Sequence, residues 1–388
     1  MPSTTKTRGH TAGRPINIVR DFADLVYTLA LIFPLVFTTL AKLVLRRWSN
    51  ATDLSVGEDI KLSMLRNLEA LPGSVKRRLM KSDTESVVNS PRFRGIRPRL
   101  QIEVSRPGFE GYWLYKAPQE EPSRRNVVLF WIHGGGYAIG DPFMGFVLLL
   151  RVVELAAEQG ISLSIFSLDY TLAPPAQFPQ QQQEALAAYC YLLEDQGIDA
   201  GSIILGGESA GTHMALTALL GLDAAGLPKP GAALLLWPWV NLKNTGASFV
   251  RNKYKDMVSK SLYDQCVALA IGPNGQEKHA ALIDFASASP EDRSWAEILP
   301  NITRLNIGSH DLFVDDAGLF VDQAKKDGAN IHLEVSPRMT HGWQMLSDMP
   351  NEKAYLAMSP DSRVAEGFLP GSENVATHLI EIVNSRGV

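Results

Sequence analysis

Beyond residue 98 the chain is a regular alternation. Short apolar runs at 100–105, 112–115, 127–132, 163–168, 202–205, 232–236, 304–307 and 331–335 have strand length and are rich in Val, Ile, Leu and aromatic side chains. Several lack a polar alternate position, as a parallel strand covered on both faces does. Between them, 143–158, 180–194, 210–222, 315–326 and 374–383 place apolar residues at helical spacing. This alternation predicts an α/β protein, with a mainly parallel, eight-stranded sheet and helices on both faces. Two stretches break the rhythm. Residues 46–98 are polar and helical in pattern, with Leu and Met spaced through 59–71 and 74–80. Residues 241–299 fall between two strands, where an insertion at the carboxyl edge of a sheet forms a lid or a pocket wall.

The N-terminus differs in kind. Residues 1–20 are polar and basic, with Lys6, Arg8, Arg14 and Arg20, and read as a tail. Residues 25–41 carry no charge; Lys42 can snorkel, and 43–45 extend the apolar run to Arg46 and Arg47. About 21 helical residues at 1.5 Å each span roughly 30 Å, the thickness of a bilayer core. Pro34 is a kink of the kind membrane helices tolerate. The expectation is a membrane partner engaged through 25–45, in a single-pass protein of the endoplasmic reticulum. A helix packed over the rest of the protein and a cleaved signal peptide are the competing readings. Both flanks are basic, so charge sets no orientation.

Composition narrows the function classes. The 388 residues suffice for one large domain with decorations or for two smaller ones. A net charge of −4 leaves no basic footprint, so no nucleic-acid partner is expected. The two cysteines, Cys190 and Cys266, have no C-x-x-C partner, so neither a zinc site nor a disulfide framework is indicated. No metal and no cofactor are expected. Asn50-Ala51-Thr52 and Asn301-Ile302-Thr303 are glycosylation sequons, which matter only in a lumenal domain.

Two short words carry chemistry. Gly207-Glu208-Ser209-Ala210-Gly211 follows a strand-like run and opens a helical one, the G-x-S-x-G form of a nucleophile elbow. A serine hydroxyl is a weak nucleophile at neutral pH and needs a base beside it. His133-Gly134-Gly135-Gly136-Tyr137 follows another strand and offers bare backbone N–H groups to a developing negative charge. The expected oxyanion donors are the N–H groups of Gly135, Gly136 and Ala210. His133 is expected to shape the loop, and Glu208 to orient the elbow.

The base and its carboxylate should follow Ser209 in the order acid, then histidine. His341 stands in a loop-like stretch after the last strand, with Gly342 behind it to turn the chain away. Asp311 closes a strand and so faces the same sheet edge as the elbow. Asp315 and Asp316 open a helix and fit better as capping or dipole groups. His213 lies one turn into the helix after Ser209 and reads as packing or surface. His310, beside Asp311, should point to the opposite face. His332 lies within a strand and His378 on the last helix. Trp239, Trp295 and Trp343 are candidates to line an apolar site, with core packing as the alternative.

Taken together, HGGGY, GESAG, Asp311 with Asp315, and His341 resemble the hormone-sensitive-lipase branch of the α/β-hydrolases. The segment Asp169-Tyr170-Thr171-Leu172-Ala173-Pro174 is similar to that branch's D-Y-x-L-A-P. The resemblance covers roughly 98–388. It implies an α/β-hydrolase fold with a helical cap, no metal, and cleavage of a carboxylic ester, acetyl or short acyl, of a lipophilic small molecule. Ser209, His341 and Asp311 are then the catalytic triad. The implied division is a tail at 1–20, a hydrophobic helix at 21–47, a cap region at 48–98 and a catalytic domain at 99–388 with the insertion 241–299. The N-terminal segment resembles that of fungal steryl acetyl hydrolases and of α/β-hydrolases in fungal metabolite pathways. Acyl transfer, cyclisation or elimination in secondary metabolism is the alternative chemistry, and a ligand receptor without catalysis a further one. Pro175, Thr212-His213 and the long stretch after Gly342 depart from the branch's pattern.

Overall fold

Eight strands form one sheet: β1 Leu100–Arg106, β2 Phe109–Tyr115, β3 Arg125–Ile132, β4 Ile161–Leu168, β5 Ile203–Glu208, β6 Ala232–Leu236, β7 Thr303–Gly308 and β8 Ile331–Ser336. Their spatial order is β1-β2-β4-β3-β5-β6-β7-β8. The first two form an antiparallel hairpin, and β2 runs antiparallel to β4. From β4 onward every neighbouring pair is parallel. The computed structural model describes residues 37–386 apart from 38, 42, 49–52, 72, 119–124, 288 and 290–292.

The apolar runs are strands because both of their faces are covered. Along β5, Ile203 and Leu205 point into one layer, while Ile204 points into the other. The first layer holds the helices Gln180–Glu194, Ala210–Ala224 and Val314–Lys326, through Ala185, Met214 and Phe320. The second holds Phe146–Glu158, Trp343–Leu356 and Pro370–Ser385, through Leu149, Tyr355 and Leu379. Each fully buried Leu or Ile stabilises by roughly 1.5–3 kcal/mol, so a sheet apolar on both sides is favourable only between two helical layers.

All parallel strands point their carboxyl ends to one edge, where a sheet of this kind binds its ligands. The insertion 241–299 is helical in pieces: Ser248–Arg251, Lys260–Ile271, Gly275–Lys278 and Trp295–Ile298. The stretch after Gly342 is the helix Trp343–Leu356, which contains Pro350. The sequence pattern does not foretell this helix, because its apolar face is interrupted by polar and charged residues.

The chain divides into two compact units, 1–79 and 80–388. In the first, the helix Val56–Asn67 starts on a reciprocal cap between Ser55 and Glu58, and Arg46 pairs with Asp59 at 2.9 Å. The expectation of a single-pass membrane protein is corrected here: among the described residues no helix is long and apolar enough to cross a membrane. Within the proposed span, residues 25–36, 38 and 42 lie outside the described residues, as do the tail 1–20 and Asn50.

Candidate active site

Four loops meet at the carboxyl edge, following β3, β5, β7 and β8. Strand β5 runs fully buried into Ser209, which sits at φ 52°, ψ −118°, and the helix Ala210–Ala224 begins at the next residue. That backbone is strained for a residue with a Cβ and puts the hydroxyl at the tip of the turn. Close packing makes the turn possible. A Cβ at Gly211 would stand 2.0 Å from the carbonyl oxygen of Ile132, so only glycine lets the helix start against the end of β3.

The structure brings Ser209, His341 and Asp311 together. His341 Nε2 lies 3.0 Å from Ser209 Oγ, and His341 Nδ1 lies 2.9 Å from Asp311 Oδ2. A carboxylate only accepts, so Nδ1 carries the proton and Nε2 is free to accept from the serine hydroxyl. Asp311 Oδ1 accepts the N–H of Phe313 at 2.9 Å. Trp237, Tyr263 and Phe313 enclose the imidazole, with ring centroids at 5.5, 5.8 and 5.2 Å. Burial alone would push the imidazole's pKa down. The charge of Asp311 and its hydrogen bond outweigh burial, with Asp256 and Glu208 adding to them, and hold it above the ordinary value.

The glycine loop is pinned from three sides. Gly134 N–H donates to Glu208 Oε1 at 3.2 Å, and Tyr170 OH donates to Gly134 O at 2.8 Å. Tyr170, from the D-Y-T-L-A-P segment, also stacks on His133 with centroids 4.2 Å apart. Gly135 has φ 93°, and a Cβ there would stand 2.0 Å from Ile139 O. Among the described residues no backbone acceptor pairs with the N–H of Gly135 or Gly136. Burial pushes the Glu208 carboxyl up to about 7 and the His133 imidazole down to about 4. Glu208 meets the glycine loop at the N–H of Gly134, and His133 meets it through the ring of Tyr170.

His213 does more than fill space. Nε2 meets Leu282 O at 2.7 Å, so it donates, and Nδ1 therefore accepts the hydroxyl of Tyr137 at 2.7 Å. Of the other candidates, His332 is exposed on β8, and His378 is buried on the last helix. Trp239 and Trp295 are core residues, stacked on Phe313 and edge-on to Phe285 and Phe320. Trp343 donates from Nε1 to Asn306 Oδ1 at 3.0 Å. Asp315 pairs with Arg251 at 2.6 Å, and Asp316 accepts from Asn241 at 3.4 Å; both tether the insertion.

Two site residues escape sequence reasoning. Asn252 Nδ2 donates to Ser309 O at 3.0 Å and to Asp311 O at 2.9 Å. Asp256 is fully buried and accepts from the N–H groups of Met257, His341 and Leu312 at 2.7, 3.0 and 2.8 Å. Burial, with the charge of Asp311 adding to it, raises the Asp256 carboxyl above its ordinary value, while the charge of His341 and the N–H groups of Leu312 and His341 favour the ionised form. In sequence it stands among Lys253, Tyr254 and Lys255 and reads as part of a solvated run. No spacing signal marks it.

Comparison with known proteins gives the family. A family described as having the alpha/beta hydrolase fold matches residues 129–345. An acetyl-hydrolase of Streptomyces hygroscopicus is 31% identical over 223 residues, which is 57% of this chain and 70% of that protein. An esterase of Acinetobacter venetianus is 26% identical over 233 residues, 59% of this chain and 72% of that one. The crystal structure of an esterase from the bacterial hormone-sensitive lipase family superposes with a TM-score of 0.64 at 28% identity, covering 86% of this chain and all of that one. The chain belongs to the α/β-hydrolase family, in its hormone-sensitive-lipase branch, and is a carboxylic ester hydrolase.

Proposed function

We propose that the ester is cleaved through a serine acyl-enzyme, with Ser209 as nucleophile, His341 as general base and acid, and Asp311 as its orienting carboxylate. The observation that carries the reading is the unbroken chain from Asp311 Oδ2 through the imidazole to Ser209 Oγ. The catalytic domain in this reading is 99–388, with 241–299 as its cap insertion.

Ser209 Oγ attacks the ester carbonyl as its proton passes to His341 Nε2. The Nδ1 hydrogen bond to Asp311 fixes the tautomer and stabilises the imidazolium that forms. The tetrahedral oxyanion is received by the N–H groups of Gly135, Gly136 and Ala210, each worth about 2.7–4 kcal/mol in sites of this kind. Collapse breaks the bond to the alcohol oxygen, which leaves with the proton from His341. A water then attacks the acyl-enzyme with His341 again as base, and the acid is released.

The proposed substrate is the acetyl or short-acyl ester of a lipophilic small molecule. Two facts support this. The rings of Trp237, Tyr263 and Phe313 crowd the imidazole and leave an apolar surround. The relative in Streptomyces hygroscopicus is an acetyl-hydrolase. Ser209→Ala and His341→Ala, assayed with p-nitrophenyl acetate and a fluorophosphonate label, test the reading. Both variants should lose turnover, and Ser209→Ala should lose all labelling. Labelling that persists in Ser209→Ala would overturn the mechanism.

A further inference from the structure

We propose that Asp256 is a second carboxylate serving His341, a positioning residue that acts through main-chain amides rather than through the imidazole. The proposal rests on the reading of His341 as the base and adds a residue outside the set Ser209, His341 and Asp311.

The sheet does not by itself fix the distance between base and acid. The ladder of β7 and β8 ends with Gly308 opposite Ser336. Asp311 and His341 lie beyond it, on separate loops. Their 2.9 Å contact therefore depends on cross-links outside the sheet. His310 N–H donates to Met339 O at 2.9 Å, and Asn252 holds the carbonyls of Ser309 and Asp311. Ser309 Oγ also accepts the N–H of Arg338 at 2.7 Å. Asp256, from the insertion, lies on neither loop and bonds to both through one side chain. Its Oδ1 accepts the N–H of His341 at 3.0 Å, and its Oδ2 accepts the N–H of Leu312, the residue after Asp311, at 2.8 Å. A carboxylate suits this place because both oxygens must accept. An amide would turn N–H groups toward one of those donors.

Asp256 also brings charge. The ionisable groups acting on it are Asp311 and His341, from the two loops it bridges. Glu208, from the elbow strand, acts on the same imidazole, and Tyr263, from helix Lys260–Ile271, packs edge-on to that ring. The Asp256 carboxylate raises the affinity of His341 for its proton, adding to Asp311. It therefore favours the imidazolium formed in each acyl-transfer step. Losing it should both loosen the geometry and make the base weaker.

The test is a comparison of Asp256→Asn and Asp256→Glu with the wild-type chain, using p-nitrophenyl acetate. Misplacement of reacting groups by about 1 Å costs on the order of 100-fold in rate. For Asp256→Asn the expected result is a fall in kcat of about 10–100-fold with little change in KM. The acid limb of the kcat/KM profile should move to lower pH, and fluorophosphonate labelling of Ser209 should slow in proportion to kcat. Asp256→Glu keeps the charge at a shifted position, so it should keep the wild-type acid limb with a reduced kcat. If Asp256→Asn does not fold, Asp256→Glu decides alone: wild-type kcat overturns the proposal, and reduced kcat with an unmoved limb supports it. A folded Asp256→Asn with wild-type kcat overturns it. So does one whose kcat falls together with Tm while the acid limb stays in place, since a merely structural role would give that pattern. His341→Ala separates the two readings. Full labelling there removes the base assignment, whereas a dead His341→Ala beside a wild-type-like Asp256→Asn removes only the role of Asp256.

Discussion

Tyr137 and His213 are joined by a hydrogen bond of 2.7 Å that ties the glycine loop to the helix behind Ser209. The same imidazole donates to Leu282 O in the insertion. One ring thus fastens the loop, the elbow helix and the insertion together. Burial pushes its pKa down to about 4, so it is neutral, as two bonds of opposite polarity require.

This neutrality has a measurable sign. An unfolded histidine titrates near 6.5, while folded His213 titrates near 4. Between those values the unfolded chain binds a proton that the folded one lacks. The contribution of His213 is therefore complete above about pH 6.5 and falls away toward pH 4. Asparagine does not titrate. The gap in Tm between wild type and His213→Asn is expected to narrow as pH falls through that window. A gap that stays constant would mean that the ring is not held neutral.

Gly136 is in contact with the thiol of Cys266. Its φ is 60°, and a Cβ there would lie 2.6 Å from Cys266 Sγ and 2.9 Å from Cys266 Cβ. Gly136→Ala should push the loop off its donors and lower kcat by about 100-fold, the loss typical of one oxyanion donor. Adding Cys266→Gly removes both obstructing atoms but not the backbone strain. The double variant is expected to recover part of the rate in steady-state turnover, and no recovery would place the whole effect in the backbone.

Asp311→Asn should leave the loop nearly unchanged, because Oδ1 can still accept the N–H of Phe313. The amide would then face Nδ1 and favour the tautomer with its proton on Nε2, which cannot accept from Ser209. In the serine protease triad this exchange lowers kcat by about 10,000-fold. The expected outcome is a loss approaching that size with Tm close to wild type. A loss below about tenfold would place the orienting charge elsewhere.

Far from the edge, Arg92 binds Glu154 through two parallel bonds of 2.7 and 2.8 Å and donates Nη1 to the carbonyls of Ser359 and Ser362. It also lies over the ring of Tyr355 at 5.2 Å. Breaking a buried charge pair costs about 3–5 kcal/mol, and partial exposure of Glu154 lowers that toward about 2 kcal/mol. Arg92→Ala should lower Tm by several degrees in a thermal melt and leave KM for p-nitrophenyl acetate unchanged.

Much of the fold is legible in the sequence, because strands covered on both faces must be apolar throughout. The run 232–236 is strand β6 residue for residue, and 180–194 is the helix Gln180–Glu194. Strand ends fare less well: 202–205 becomes Ile203–Glu208, since Gly206 and Gly207 carry no apolar signal although they belong to β5. Ser209, Asp311 and His341 stand out because each follows a strand at the same sheet edge.

The chain's own order of residues determined the alternating strands and helices, the elbow and the glycine loop, because these depend on neighbours a few positions apart. Tertiary structure alone decided that Asp256 would lie against the amides of His341 and Leu312, and that His213 would link Tyr137 to Leu282. Those contacts join residues tens of positions apart through loops and an insertion that carry no periodicity. A carboxylate among lysines looks the same in sequence whether it meets water or a buried N–H, and only the packing of the chain over it makes the difference.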